Sequence, residues 1–584
     1  MMNKSAFIYD SYNARVLTYK QLSDTFITNK SFLELAGQNN TVLIGPRGSG
    51  KTTLLKMLQI EALSLWEGEK AEEYRSKIKY TGVFVPTDMV WYKQQKKLLE
   101  TNNNNAQVAR YINDLFTLHT FECLLQALIF RTSGARDYRR ILLSYEKERE
   151  LAKVLATQWK LSPDVYTLKS LFASLILKNQ EMLSLVTNDI FSDPVRINDN
   201  ICSFTDISQS LSASIRQINN MISENDGCWC FLFDELELAP TQITSDLIDA
   251  MRGSNPNIIY KLSLSPYNEN ISNSITIRDA MESQDFSIIY LPDSQDIDFA
   301  ERLCEMVLEK KGLSLGVIEK FENIDYKKEI TELAAKDNSF NRYLERKHIS
   351  IENIENYTDR NKKPEIRKIR WSVLIRNYYF NNNLSLRSIR RPADFYAGFL
   401  NICTALEYNP RMLIGTMNKL VQQYKRGKID FYSQINALQD ASNGFNAILN
   451  TISVGSDDFY TVQDLIQKIS TQIRQKYILG EVFHDEPKGV FFFKKEPDIN
   501  IARALGDALN TGAIINVTDN KSSEFNISKF VGKKFRVSFI FSPTFKLPLT
   551  KLSPIEYDKL IDSKIDSISE LDHEKDNNQM ELEL

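Results

Sequence analysis

Apolar residues recur along this chain in two rhythms, and their alternation lays out a layered α/β unit. Short, nearly continuous apolar runs read as buried strands at residues 41–44 (TVLI), 80–86 (YTGVFVP), 228–235 (CWCFLFDE), 257–266 (NIIYKLSLSP) and 285–291 (DFSIIYL), because a strand covered on both faces has no polar side with which to alternate. Between them apolar positions fall at helical spacing, as in TLLKML after the first run and over residues 241–252. Strands separated by helices predict a parallel sheet sandwiched by helices, with any ligand at the carboxyl ends of the strands. About 140 residues lie between the second and third runs, more than such a unit needs, so an inserted helical subdomain is expected over residues 92–222.

Further along the pattern changes. A helical region over residues 296–428 leads to helices at 431–452 and 462–477, a third at 500–510 (NIARALGDALN), a strand from Gly512, a polar loop and a strand at 535–541 (FRVSFIF). This helix and hairpin unit predicts a winged-helix-like α+β domain over residues 429–545. From Glu556 onward ten acids face three lysines, so residues 546–584 are expected to form an acidic, mobile tail. The expected organisation is then an N-terminal segment (1–35), an α/β core (36–295), a helical domain (296–428) that the resemblance given below makes a lid, the winged-helix-like domain and the tail. A length of 584 residues suits two to four domains.

Composition removes several classes. With 42% apolar and 25% charged residues, wholesale disorder, collagen and coiled-coil rods are excluded. Lysines and arginines number 72 against 75 acids, a net charge of −3, so the whole-chain balance advertises neither nucleic acid nor membrane. The six cysteines form no CxxC pair and the four histidines stand apart, which predicts reduced thiols and no histidine-based metal centre. No apolar run is long enough for a membrane span and the start has no apolar leader, so a cytoplasmic protein is expected.

The first strand runs into Gly45-Pro46-Arg47-Gly48-Ser49-Gly50-Lys51-Thr52-Thr53 and then an amphipathic helix. Glycines at 45, 48 and 50 let the backbone curl until its N–H groups converge on phosphate oxygens, and the helix N-terminus adds partial positive charge. In this P-loop pattern Lys51 reaches the β- and γ-phosphates and the Thr52 hydroxyl ligates Mg²⁺. The third run ends in Asp234 and Glu235: Asp234 would hold the metal with Thr52, and Glu235 would orient and deprotonate the attacking water. Paired acids at a strand end also serve as plain turns or caps. At the end of the fourth run Ser265 is the candidate γ-phosphate or water sensor, Ser263 its competitor, and an ordinary strand-end serine the alternative. The guanine reader NKxD, the LSGG signature and the helicase QxxGRxxR are missing, which argues against those P-loop machines.

GPRGSGKTTLL, FLFDELELAP, KLSLSP and the later NPRMLIGTMNKLV together resemble the AAA+ ATPases, and within them the origin-recognition (ORC-like) initiator branch and its bacterial relatives. The resemblance covers residues 32–424 and implies ATP with Mg²⁺ as cofactors. It also makes Arg411 the lid arginine that touches the γ-phosphate. Asn409 suits an N-cap and Pro410 the first helical position, so Arg411 falls where the helix dipole disfavours a cation, and an anionic partner is implied. A salt-bridged or solvated arginine is the alternative. AAA+ rings also use an arginine finger from a neighbouring subunit. Arg278 stands in the corresponding stretch, with Arg252 its rival, and a homo-oligomer or hetero-complex is implied.

Ten basic residues against one acid occupy residues 360–391, interleaved with Trp371, Tyr378, Tyr379 and Phe380. The pattern fits stacking and phosphate contact on duplex DNA, a subunit or effector contact, or a solvated face. Lys521, Lys529, Lys533, Lys534 and Arg536 would add positive charge to the hairpin. Two functions are therefore in view: an ATPase that switches assembly on DNA or on a partner, and a regulatory NTPase gating an effector such as a nuclease, as in bacterial antiphage defence. No second carboxylate and lysine constellation suggests a nuclease within this chain.

Overall fold

The computed structural model describes residues 13–87, 106–133, 137–190, 204, 206–239, 241–253, 255–268, 286–291, 296–321, 324–356, 362–389, 391–425, 427–454, 460–480, 486–518, 527 and 529–561. Strands β1 (Thr41–Ile44), β2 (Tyr80–Pro86), β3 (Cys228–Asp234), β4 (Ile258–Leu264) and β5 (Ser287–Tyr290) form one parallel sheet in the order β2-β3-β4-β1-β5. The five expected strands are thus the observed ones, and their carboxyl ends share one rim. Leu43 lies opposite both Ser263 and Ile289, and Pro86 opposite Asp234.

Alternation along each strand divides the core. On β3, Trp229, Phe231 and Phe233 face one layer and Cys230 and Leu232 the other. The first face is covered by α2 (Ala106–Ser133), α3 (Tyr145–Gln158), α4 (Leu168–Ile190), α5 (Ile207–Ile222) and α6 (Thr241–Arg252), with Phe116 stacked on Phe233 at 6.0 Å and Phe121 on Trp159 at 4.6 Å. The described part of residues 92–222 therefore shares a core with the sheet and is its covering layer. The second face packs on α1 (Lys51–Met57) and on Phe32, Leu58 and Trp66.

The lid contains α7 (Ile297–Glu309), α8 (Tyr326–Lys336), α9 (Lys362–Tyr379), α10 (Phe399–Ala405) and α11 (Pro410–Gln422). It shares one apolar cluster with the C-terminal unit, which comprises α12 (Phe431–Leu449), α13 (Val462–Ile473), β6 (Lys488–Phe492), α14 (Ile499–Thr511), β7 (Ile514–Asn516), β8 (Lys534–Val537) and β9 (Ser553–Glu556). The second sheet runs β7-β8-β6-β9, antiparallel except for β6 with β9.

Three expectations change here. The strand expected at 535–541 stops at Val537: Phe539–Phe541 is a single 3₁₀ turn that buries the adjacent Ile540 and Phe541, the latter stacked on Phe445 at 5.6 Å. The tail boundary moves, because β9 and the helix Tyr557–Ile561 pack into the second sheet and its cluster. Residues 562–584 lie outside the described residues. Among the described residues no helix is long and apolar enough to cross a membrane.

The third concerns the basic stretch. Tyr379 and Phe380 are buried, and Trp371 and Tyr378 pack against Phe395, so these rings serve the core and not base stacking. Arg376 is equally committed: it pairs with Asp337 at 2.7 Å and donates to the Ile478 and Gly480 carbonyls, with 4% and 1% of the two side chains exposed. Arg370 lies over the Tyr326 ring and Arg391 pairs with Asp394. Arg376→Ala strands a buried carboxylate, and a loss of about 3–5 kcal/mol of stability is expected, measured as a lowered denaturation midpoint.

Candidate nucleotide site

The residues that chemistry would need at the sheet rim are brought there by the loop after β1, the ends of β3 and β4, and the lid. The loop after β1 turns at Gly48 (φ 84°) and Gly50 (φ 95°), a region glycine enters without strain. Gly50 caps α1, so Lys51 starts the helix, buried, and donates to the Gly45 carbonyl at 2.5 Å and to that of Pro46 at 3.4 Å. Gly45 is confined as well, since a Cβ there would meet Ser49 Oγ at 2.5 Å. The Ser49 hydroxyl instead donates to the Pro46 carbonyl at 2.8 Å.

From β3, Asp234 stands beside the loop, 2% exposed. Burial pushes its carboxyl above the usual range, opposed by the Thr52 hydroxyl, Lys51 and the Ser263 hydroxyl. Its Oδ1 is buried with no hydrogen-bond partner among the described residues. A hard oxygen left free next to a threonine hydroxyl is a donor set that suits Mg²⁺. Lys51 is shifted the other way: burial lowers its pKa against the pull of Glu237 and then Asp234, while Arg411 and Arg15 lower it further.

Glu235 takes a left-handed conformation (φ 57°, ψ 45°) in opening the 3₁₀ turn Leu236–Leu238, a strained position for a residue with a Cβ. Its carboxylate pairs with Arg15 of the N-terminal segment. Lys56 of α1 explains why Arg15 is there: its ammonium donates to the carbonyls of Ala14, Arg15 and Leu17 and straps that segment to the core. Ser263 and Ser265 separate in role, Ser263 beside Asp234 and Ser265 donating to Glu237 Oε1 at 2.6 Å.

The lid closes the arrangement. Asn409 caps α11 through Oδ1, accepting from the N–H groups of Arg411 and Met412, while its Nδ2 donates to the Arg47 carbonyl at 3.2 Å. A Cβ on Gly48 would meet Asn409 Oδ1 at 3.0 Å and Arg411 Cβ at 3.2 Å, so α11 starts directly on the loop. Partial burial, then Arg47 and Arg15, lower the Arg411 pKa. Lys51, Arg47, Arg411 and Arg15 thus converge as cations on one rim, a field suited to a polyphosphate.

Lys51, Thr52, Asp234, Glu235, Ser265 and Arg411 are therefore brought to one rim. Arg278 lies outside the described residues, and its rival Arg252, at the end of α6, is paired with Asp249 at 3.4 Å. Sequence reasoning missed Glu237, Arg15 and Asn510, whose main-chain carbonyl accepts the Arg47 N–H at 2.8 Å. The Glu237 signal was its place in DELE, one helical step beyond the paired acids. Arg15 and Asn510 carry no local signal.

A parallel sheet with a glycine loop after its β1 strand, acids after β3 and a helical lid seated on the loop defines a P-loop α/β fold of the AAA+ type. More narrowly, this chain belongs to the ORC-CDC6-like family, whose model matches residues 8–556. Neither the curated proteins nor the solved structures yielded a match.

Proposed function

We propose that this ORC-CDC6-like protein binds and hydrolyses ATP and uses the nucleotide to switch its assembly on duplex DNA or on a protein partner. The observation that carries the reading is the convergence of Lys51, Arg47 and Arg411 on the loop that faces Asp234 and Glu235. The backbone N–H groups of residues 48–53 and Lys51 would hold the phosphates. Thr52 and Asp234 would hold Mg²⁺, which when bound neutralises phosphate charge. Glu235 takes a proton from water as its oxygen bonds to the γ-phosphorus, and the bond to the β-bridging oxygen breaks with ADP leaving. Ser265 or Ser263, with Arg411, stabilises the charge on the transferred group. Arg278 is the proposed finger toward a neighbouring subunit.

The helix order of the C-terminal unit supports a winged-helix-like module, although a single helix separates β6 from β7. Its reading helix would be α14. The commitment of Arg376 and of the Trp371 to Phe380 rings to the core favours the second reading, in which the partner is a protein effector. Turnover by the purified protein with and without duplex DNA, together with mass photometry in each nucleotide state, separates them. Stimulation by DNA with ATP-dependent assembly supports the DNA reading. Slow turnover indifferent to DNA, with a stable assembly, supports the effector reading, and no turnover in any state removes the hydrolytic one.

A further inference from the structure

The end of α14 is built into the wall of the phosphate loop. The main-chain carbonyl of Asn510 accepts the Arg47 N–H at 2.8 Å. Its carboxamide satisfies both polar groups of the Tyr267 backbone, Oδ1 accepting from the N–H at 2.8 Å and Nδ2 donating to the carbonyl at 2.9 Å. Tyr267 stands two residues beyond Ser265, so one side chain fixes the exit of the strand that bears both candidate serines. The neighbouring Pro266 carbonyl accepts the Ile527 N–H at 2.8 Å, a second tie to the C-terminal unit.

Two glycines allow so close an approach. A Cβ on Gly506 would enter the Tyr267 ring at 2.1 Å, and one on Gly512, which ends α14 at φ 86°, would lie 3.3 Å from Pro46 Cβ. On its other side, Arg47 is held through its carbonyl by Asn409 of the lid. The backbone of a single loop residue is thus gripped by two domains at once, and the face of α14 bearing Gly506 and Asn510 is spent on the core.

We propose that Asn510 is a positioning residue that couples the C-terminal unit to the nucleotide site, so that this unit senses nucleotide in its own chain. The proposal rests on the reading of residues 45–53 as a nucleotide site. A phosphate-driven adjustment of the loop at Arg47, or of β4 near Ser265, changes the geometry that holds α14. By linkage, a ligand that lifts α14 changes nucleotide affinity by the same factor. Replacing the carboxamide removes the Tyr267 clamp while the Arg47 bond, made by main chain, and the phosphate-facing N–H groups are retained.

The test is hydrogen–deuterium exchange across residues 499–516 of the full chain, with and without ATPγS and Mg²⁺, with fluorescent mant-ADP reporting binding in the same samples. In the unaltered protein, nucleotide is expected to slow exchange there by about fivefold or more. In Asn510→Ala, affinity is expected to stay within about threefold, the exchange response to vanish, and kcat to fall about tenfold at unchanged KM. Nucleotide binding without any change at residues 499–516, or a full response in the variant, overturns the coupling. Failure of the unaltered protein to bind mant-ADP overturns the nucleotide-site reading, and this proposal with it. Should Asn510→Ala not fold, Asn510→Asp, which keeps the acceptor and loses the donor, is read in the same way, and the comparison on the unaltered protein stands regardless.

Discussion

Glu235→Gln is expected to bind nucleotide as tightly as the unaltered protein and to lose about 10²- to 10⁴-fold in turnover, the ordinary contribution of a positioned base. The substitution keeps size and the left-handed backbone, and removes the proton acceptor together with the charge that Arg15 pairs. Arg15 gives the experiment a second arm, because its guanidinium pairs with the same carboxylate and an ion pair disfavours uptake of a proton. Arg15→Ala is therefore expected to leave nucleotide binding close to normal while moving turnover, and to have no effect on turnover once Glu235 is Gln. Full turnover in Glu235→Gln would transfer the role to Glu237, which holds Ser265 and exerts the strongest carboxylate influence on Lys51. Single-turnover assays with mant-ATP binding as the control decide between the two acids.

Lys51→Ala is expected to weaken nucleotide binding by about ten- to a hundredfold, the worth of one lost charged hydrogen-bonding group, and to reduce turnover further still. The cause reaches beyond one lost contact. Lys51 is a buried cation that opposes the burial of Asp234. With it gone, the Thr52 and Ser263 hydroxyls are left to hold that carboxyl ionised, so its pKa climbs and Mg²⁺ dependence should shift to higher pH. Titration with mant-ATP at two pH values tests both points. Unchanged affinity would remove the loop from phosphate binding.

What the sequence made legible was local. Nine consecutive residues spell out the phosphate loop, and the strands that deliver Asp234 and Ser265 are unbroken apolar runs, so both the sheet and the loop could be placed before any coordinates. Asn409 and Pro410 likewise announced the start of α11, and the side chain caps that helix as expected. What stayed hidden depends on convergence. Arg15 reaches Glu235 and Asn510 reaches Arg47 across hundreds of residues, and no spacing rule connects them. In the basic stretch the charge was legible but its partners were not: Asp337, which neutralises Arg376, lies 39 residues upstream. Strands β6 and β9 are short and lack clear alternation, and FRVSFIF reads as one strand because a 3₁₀ corner that buries adjacent apolar residues resembles an extended run.

The grip of Asn409 on Arg47 spans 362 residues. At ordinary synthesis rates of about 5–20 residues per second, the loop emerges from the ribosome roughly 20 to 70 s before the lid residue that seats it. Throughout that interval β1 and its glycines exist without α11, and the chain cannot complete its cationic rim before Arg411 has been made.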